Sequence, residues 1–411
     1  MLRLLTAGES HGQELIAVLE GMPAGLPLDL DAITNQLRRR QGGYGRGRRM
    51  AIESDRAQII SGVRRGTTTG APIALLIPNK DWQNWQKTMH VEAEMPEDAT
   101  GANRAPVTRP RPGHADLAGA LKYGHGDIRD VLERASARET AARVALGAIA
   151  RQLLGRFGID VLSHVTRIGA VGVDEALSIS VERIQAIPDD SPLHCADAAV
   201  EQKMIAAIDA AKEAGDTLGG SFEVVVTGLP VGLGSYVQWD RKLDGRLAQA
   251  IMSIPAIKAV GIGKGPDVAR LPGSRIHDEI VPAGEHPSGH PAVGVSRLTN
   301  NAGGLEGGVT NGEQLRVTGY MKPIATLMQP LRSVDLTTMS ESPAAIERSD
   351  VCAVTAAAVV GEAMVSLTVA DVFLEKLGND NMTYIAKVVE AAVDSVRSRF
   401  QARSTPATAR S

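Results

Sequence analysis

The residues with the clearest chemical potential in this sequence are arginines set among glycines. Six arginines fall within residues 38–49, namely Arg38, Arg39, Arg40, Arg46, Arg48 and Arg49, and four glycines separate them. A guanidinium group donates paired hydrogen bonds to phosphate or carboxylate, and glycine lets the backbone approach a ligand closely. The segment by itself fits a solvated basic loop or an RNA-binding patch equally well. We expect the loop 42–49 to be mobile without a ligand and ordered with one.

Further arginines occur in other segments shaped by glycine, proline or serine. They are Arg109 and Arg111 in TRPRPGH, Arg134 and Arg138 in ERASARET, Arg332 in PLRSVD and Arg348 in ERSD. Arg134 and Arg138 are four residues apart in a predicted helix, so we expect them to share a face and to repel unless an anion lies between them. Each arginine alone is more simply explained by a salt bridge to a carboxylate such as Glu133, Glu139 or Glu347. The whole set favours a small polyanionic ligand.

Two histidines lie in short glycine-bounded segments, His11 in GESHG and His114 in RPGHAD. A single histidine in such a turn is more often structural. Two of them in a chain with an arginine cluster favour acid–base catalysis. His286 and His290 in HPSGH are separated by proline and glycine, which excludes a helical metal pair, and we predict no metal site.

The composition is that of an ordinary globular protein. The chain has 411 residues, 43% hydrophobic and 22% charged, with a formal net charge of −3. Aromatic residues make up 3% of the chain, which leaves few side chains on which bases could stack and argues against an RNA-binding protein. An RNA-binding protein would show a steep salt dependence of its affinity for RNA. Cys195 and Cys352 cannot form a disulfide framework. Because the sequence shows no signal-peptide pattern and no apolar run that suggests a membrane span, we expect no membrane association and a cytoplasmic location.

The pattern of apolar residues predicts strands over 2–6, 14–20, 57–63, 71–77, 221–229, 257–263 and 312–323. It predicts helices over 29–40, 127–157, 200–214, 242–253, 342–377 and 382–400, and a long irregular, mobile excursion over 81–113. Antiparallel-looking strand pairs combined with two long central helices indicate an α+β fold. Without a linker, residues 1–400 are expected to form a single domain, followed by a disordered tail over 401–411.

Taken together, several segments resemble those of the chorismate synthase family, in the family's order. They are TAGESHG (6–12), RRRQGGYGRGRRMAIESD (38–55), ISGVRRGTTTGAPIALLIPNKD (60–81), RPRPGHADLAGALKYG (109–124), ERASARETAARVA (133–145), SRLTNNAGGLEGGVTNGE (296–313), MKPIATLMQPLRSVD (321–335) and ERSDVCAV (347–354).

The resemblance implies a carbon–oxygen lyase that converts 5-enolpyruvylshikimate 3-phosphate to chorismate and phosphate. The reaction is a 1,4-elimination that needs reduced FMN without net redox change, and it leads to the aromatic amino acids. The resemblance also implies a β-α-β sandwich fold and a homotetramer with two-fold symmetry, with flavin sites near subunit boundaries. An external flavin reductase is expected to supply the reduced flavin. The alternative is a bifunctional form that reduces its own flavin with NADPH.

By the same resemblance, His11 protonates the departing phosphate, His114 protonates the reduced flavin, and Asp350 assists proton transfer at flavin N5. Substrate is expected to contact Arg40, Arg46, Arg49, Arg111, Arg138, Arg332 and Arg348, of which Arg40 and Arg46 also match the family's NADP positions. The flavin is expected to contact Arg40, Arg46, Arg134, Ala135, Ser136, Pro255, Ala256, Gly307, Lys322, Pro323, Ile324, Ala325, Thr326 and Arg348. The family has serine where this chain has Ala135, so a backbone contact is expected there.

Overall fold

The computed structural model describes residues 2–47, 55–282, 295–347 and 350–401. The strands are β1 (Arg3–Ala7), β2 (Glu14–Glu20), β3 (Gln58–Ser61), β4 (Val63–Arg64), β5 (Thr67–Thr68), β6 (Ile73–Pro78), β7 (Asp160–Ile168), β8 (Val171–Gly172), β9 (Gly220–Thr227), β10 (Ile257–Ile262), β11 (Ile280–Pro282), β12 (Val295–Arg297), β13 (Leu305–Glu306), β14 (Val309–Thr310), β15 (Leu315–Met321), β16 (Arg332–Asp335) and β17 (Ser340–Pro343). The helices are α1 (Leu30–Gln41), α2 (Gln86–Met89), α3 (Asp116–Tyr123), α4 (Arg129–Arg134), α5 (Thr140–Gly155), α6 (Val181–Gln185), α7 (Ala198–Glu213), α8 (Leu243–Met252), α9 (Val354–Leu377) and α10 (Met382–Gln401).

Strands β1, β2, β6 and β3 form an antiparallel four-stranded sheet in that order. Alternate residues of β2, including Leu15 and Leu19, are buried, and so are Ile73 and Ile77 of β6. This two-residue period directs one apolar face inward, where α5 packs against it. The predicted strands in this part of the chain are confirmed.

Strands β10, β15, β9, β7 and β8 form a second antiparallel sheet in that order. Strand β9 is buried on both faces. Its Val224 and Val226 belong to the main core, whereas Val225 packs with Ile179 and Ile184 in a smaller cluster on the other face. The long apolar run of this strand is therefore explained by cover on both sides.

Helices α5 and α9 pack against each other between the two sheets. They approach closely at Gly147, where an added Cβ atom would lie 2.3 Å from the Cβ of Ala363. Helix α9 is long and apolar enough to cross a membrane by length and composition alone, but 94% of its most apolar window is buried inside the fold, as expected of a core helix. The α+β class is confirmed, with helices between antiparallel sheets.

Two predicted helices differ from the structure. The single helix over 127–157 is wrong: the chain leaves helical geometry at Ser136, whose ψ is 143° and whose hydroxyl accepts a hydrogen bond from the backbone N–H of Arg138. Arg134 ends α4, Arg138 lies in a short 3₁₀ turn, and they do not share a helix face. The predicted helix start at residue 342 is also wrong, because Ser340–Pro343 pairs with Arg332–Asp335 as a hairpin.

The excursion over 81–113 contains more order than its composition predicts. A 3₁₀ turn at Trp82–Asn84 leads into α2, and the Thr100 hydroxyl donates to the carbonyl of Gln83. Trp85, between these two turns, is 6% exposed. The segment therefore returns a large side chain to the interior, next to the loop between β1 and β2.

Candidate active site

His11 lies in the loop between β1 and β2 and is held by Glu133 of α4. Its backbone N–H donates to Glu133 Oε2 at 2.8 Å, and its Nδ1 lies 2.9 Å from Oε1. The Glu133 side chain is fully buried, and the Glu133 carbonyl accepts from the backbone N–H of Ser10. The turn depends on Gly8 at φ 103°, where a Cβ atom would lie 2.4 Å from the Glu14 carbonyl oxygen. Because Nδ1 bonds to Glu133, a proton exchanged with a ligand would pass through Nε2.

Arg40 and Arg138 converge on a single buried carboxylate, that of Asp55. The distances to Asp55 are 3.2 Å from Arg40 and 2.6 Å from Arg138, and all three residues are at most 6% exposed. The pKa of Arg40 is lowered to about 10, chiefly by burial and to a smaller extent by Arg138 and Arg46, against the opposing effect of Asp55. Burial alone would raise the pKa of Asp55, but its bonds to both arginines hold it below the ordinary value. The surroundings of Arg40 therefore favour a nearby anion.

Arg46 is held by Asp350, just before α9. Its Nη1 lies 2.7 Å from Asp350 Oδ2, and Asp350 also accepts from the backbone N–H of Gly47 at 2.6 Å. The backbone N–H of Val351 donates to the carbonyl of Gly45. The described part of the arginine–glycine loop is thus tied to the start of the core helix, beside Arg40.

His114 is bonded to Asp116, the first residue of α3. The His114 Nδ1 lies 2.5 Å from Asp116 Oδ1, and Arg111 Nε donates to Asp116 Oδ2 at 2.8 Å. Burial opposes ionisation of Asp116, but the bonds from His114 and Arg111 hold its pKa well below the ordinary range. Both predicted catalytic histidines therefore bond through Nδ1 to a buried carboxylate, and the His114 Nδ1 also lies 3.1 Å from Arg111 Nη2. A carboxylate at Nδ1 favours exchange of a proton with a ligand at Nε2.

The segment 322–326 lies against the His114 loop. The Lys322 ammonium donates to the Gly113 carbonyl at 2.9 Å, and the Thr326 hydroxyl accepts from Arg111 at 3.0 Å. The Lys322 backbone N–H donates to the carbonyl of Ala256 at 2.9 Å, which brings residues 255–256 to the same place. Burial, with a smaller effect from Lys258, lowers the pKa of Lys322.

Five hydrogen bonds join these groups into one site. Asn79 accepts from Arg138 at 2.9 Å and donates to the Gly12 carbonyl, which joins the arginines to the His11 loop. The Ser136 hydroxyl donates to the hydroxyl of Ser10 at 3.1 Å. Thr217 donates to the Ile324 carbonyl, and the adjacent Leu218 N–H donates to Val351, next to Asp350.

Some predicted residues lie apart from this site in the single chain. The Arg332 side chain is 87% exposed and pairs with Glu341 across the hairpin. Gly307 lies in the turn before β14, beside the beginning of α8, whereas Ala256 follows the end of that helix, so about 15 Å of helix separates them. Arg134, by contrast, lies at the site, where its guanidinium donates to the carbonyls of Thr6 and Gly8 beside His11.

Arg49 and Arg348 lie outside the described residues, as do His286 and His290. Within the described ranges, no three acidic, histidine or cysteine side chains are grouped as metal ligands.

Sequence reasoning missed the carboxylate and amide partners that hold the site together. Asp116, two residues after His114, was open to detection from its position. Glu133 was considered only as a partner for arginines, and Asp55 and Asn79 carried no local signal. The site residues to which Asp55, Asn79 and Glu133 bond lie between 15 and 122 residues away along the chain, so these pairings depend on the tertiary fold.

Comparison with known proteins identifies the family of this chain. The family model described as chorismate synthase matches residues 2–374. The chain belongs to the chorismate synthase family. It is 53% identical over 397 residues to the chorismate synthase of Geobacter sulfurreducens, covering 97% of this chain and all of that one. It is 53% identical over 389 residues to the chorismate synthase of Shouchella clausii, covering 95% and 98% of the two chains.

A solved structure described as a crystal structure of chorismate synthase is similar with a TM-score of 0.76 and 42% identity, covering 97% of this chain and 98% of the other. The predicted resemblance and fold are therefore confirmed. The activity is that of the family, a carbon–oxygen lyase of the shikimate pathway to aromatic amino acids, and the family implies a reduced flavin cofactor. The bifunctional alternative finds no support in these comparisons.

Proposed function

We propose that the site between His11 and His114 binds 5-enolpyruvylshikimate 3-phosphate beside reduced FMN and eliminates phosphate to form chorismate. The observation that carries the proposal is the pairing of two carboxylate-bound histidines with three buried arginines, Arg40, Arg111 and Arg138, in one connected set of contacts. The substrate bears a phosphate and two carboxylates, which arginine recognises well.

The arginines favour a multiply charged anion. Arg40 and Arg138 both bond to Asp55, and the Arg40 pKa is lowered to about 10, chiefly by burial and further by its cationic neighbours. A phosphate or carboxylate placed beside them would add a favourable charge interaction with both guanidinium groups. We assign the substrate chiefly to Arg138, Arg40 and Arg46.

The histidines are assigned the two proton transfers. The His11 loop is joined to Arg138 through Asn79, and His11 would donate from Nε2 to the departing phosphate. His114 lies against Lys322 and the 322–326 segment and would protonate the flavin from the equivalent nitrogen. Glu133 and Asp116 hold the two rings and stabilise them when they are protonated, as a carboxylate does for a catalytic histidine. Asp350, held near Arg46, is assigned the assisting role at flavin N5.

The residues near the histidines fit a flavin by the chemistry of their donors. Lys322, Thr326 and the backbone around Ala256 lie beside His114, and Ala135 and Ser136 lie beside the His11 loop. Because the Arg134 guanidinium is already bonded to backbone carbonyls, we expect its contribution to the flavin to be indirect, through the position of Ala135 and Ser136. When bound, reduced flavin supplies electron density that eases rupture of the allylic C–O bond and is restored in the same turnover.

We further propose a cytoplasmic homotetramer supplied with reduced FMN by an external reductase. The separation of Gly307 from Ala256 along α8 supports the assembly, because a Gly307 contact to the same flavin would then come from a neighbouring subunit. The exposed Arg332 side chain would reach the ligand either from a neighbouring subunit or after closure of its hairpin on ligand binding. NADPH with FMN, under anaerobic conditions and with no added reductant, should give no product. Turnover there would support the bifunctional form.

Flavin titration is the direct test of the site. Reduced FMN should bind the chain and bind more tightly in the presence of the substrate, since both ligands share one cationic cavity. Arg138→Met should abolish the effect of the substrate on flavin affinity. Binding of flavin that is indifferent to substrate in the unmodified chain would contradict a shared site.

A further inference from the structure

Trp85 lies face to face with the imidazole of His11. The ring centroids are 3.8 Å apart and the ring planes differ by 20°. Trp85 is 6% exposed, and its indole N–H donates to Asp81 at 3.0 Å. A buried aromatic ring with its polar atom satisfied is held rigidly, so it fixes the plane of any ring stacked on it.

Stacking supplies a restraint that Glu133 does not. Glu133 holds His11 at Nδ1, with distances of 2.9 and 3.0 Å to its two oxygens. Those hydrogen bonds act at one edge of the imidazole and resist tilting of the ring less than a contact on its face does. The parallel indole restricts this tilting, and two contacts in different directions define the position of Nε2.

Two cations hold the indole in turn. The guanidinium carbon of Arg104 lies 4.0 Å from the Trp85 ring centroid, and that of Arg129 lies 5.4 Å from it. Arg129 is buried and also lies 3.6 Å from Glu133, so the indole and the carboxylate that hold His11 share a neighbour. Arg104 lies in the same excursion as Trp85, and its backbone N–H donates to the hydroxyl of Thr88.

We propose that Trp85 is a positioning residue for His11 and that it couples the segment 81–104 to the proton transfer at Nε2. The proposal rests on the proposed function in assigning that transfer to His11. It adds that the excursion, through the contact of Trp85 with His11, affects the rate of the chemical step and leaves substrate binding little changed.

The kinetic test compares three variants in anaerobic assays with reduced FMN and substrate. Trp85→Leu should lower kcat by roughly 10- to 100-fold, since a small misplacement of a catalytic group has effects of this size, with KM changed less than about threefold. Trp85→Phe keeps a stacking ring and should restore kcat to within about fivefold. Trp82→Leu is the matched control, a half-buried tryptophan three residues away, and should keep kcat. Equal kcat for the leucine and phenylalanine variants at position 85 would overturn the proposal.

Fluorescence gives a test that does not depend on activity or on changing Trp85. The sequence has three tryptophans, so a Trp82→Phe, Trp239→Phe double variant carries Trp85 alone. An imidazole in contact with an indole quenches its emission, so adding His11→Asn to this variant should raise the emission of Trp85. Unchanged emission would overturn the stacking proposal, whereas full turnover by His11→Asn would overturn the proposed role of His11 and leave the stack intact.

Discussion

Replacing Glu362 with glutamine should destabilise the fold and remove part of the loss of stability that it undergoes at acid pH. Glu362 lies on the core helix α9 and accepts from Arg39 of α1 at 2.6 and 2.8 Å, from Arg151 of α5 at 2.6 Å and from Ser163 of β7 at 2.7 Å. One carboxylate thus joins four elements of the sandwich. Glutamine keeps the size of the side chain but leaves two cations without their counter-charge.

The magnitude follows from the pKa of Glu362, which is lowered from 4.5 to about 2 because its two arginines outweigh the effect of burial. A difference of this size corresponds to about 3 kcal/mol of stability at neutral pH. Removing one partner of a buried ion pair costs about 3–5 kcal/mol. Because the arginine side chains are 31% and 29% exposed and can reach water, the lower end applies. For a chain of this length, that corresponds to a fall in Tm of about 3–4 °C.

The sign of the pH dependence is fixed by the lowered pKa. The stabilising contribution of Glu362 is fully present above its unfolded value of 4.5 and is lost as pH falls toward about 2. The difference in Tm between the unmodified chain and Glu362→Gln should therefore shrink as scans are repeated from pH 7 down to pH 3. Glu375→Gln is the control: it lies on the same helix, pairs with Arg241 at 2.8 Å near the surface, and should cost less than about 1 kcal/mol. Equal effects of the two variants at pH 7 would refute this reasoning.

Four further predictions concern the site and the assembly. His11→Asn and His114→Asn should each slow turnover by roughly 10²-fold or more while keeping substrate affinity within several-fold, measured as kcat against KM; full turnover would remove that histidine from the mechanism. Glu133→Gln should lower kcat by about tenfold with KM little changed, since it removes the charge that holds His11 and stabilises its protonated form; an unchanged kcat would count against it. Arg138→Met should weaken substrate binding and spare the flavin, and Arg134→Met should do the reverse, as isothermal titration will decide. Light scattering at micromolar concentration should give a homotetramer, and a fully active monomer of about 43 kDa would contradict it.

The apolar patterns of the sequence predicted the α+β class but not where every helix begins, and the sandwich was implied by the family resemblance. Strands β2 and β6 alternate cleanly because each has one buried face, and α9 is apolar all round because it is buried all round. The break before α5 has no proline or glycine to mark it. There the Ser136 hydroxyl caps the turn at Arg138, which is a local contact typical of serine, whereas the contact of Glu133 with the His11 loop belongs to the tertiary fold.

The residues of the candidate site were also only partly predictable from the sequence. Arginines and histidines could be found from residue type and spacing, because cations clustered among glycines are unusual in any fold. Their partners could not, because Glu133 and Asp55 are ordinary carboxylates until the fold buries them against His11 and Arg138. The predicted start of α9 at Ser342 failed for a similar reason. Serine followed by proline is typical of the beginning of a helix, and only the pairing with β16 shows that Ser342 and Pro343 belong to a strand.

The measurement that tests the central claim most directly is a single-turnover reaction under anaerobic conditions. The purified chain, reduced FMN and 5-enolpyruvylshikimate 3-phosphate are mixed, and chorismate, inorganic phosphate and flavin oxidation state are followed together. We predict one chorismate and one phosphate for each substrate consumed, with the flavin still reduced at the end and no product when the flavin is supplied oxidised. Phosphate released without chorismate, or one reduced flavin consumed for each product, would contradict the account.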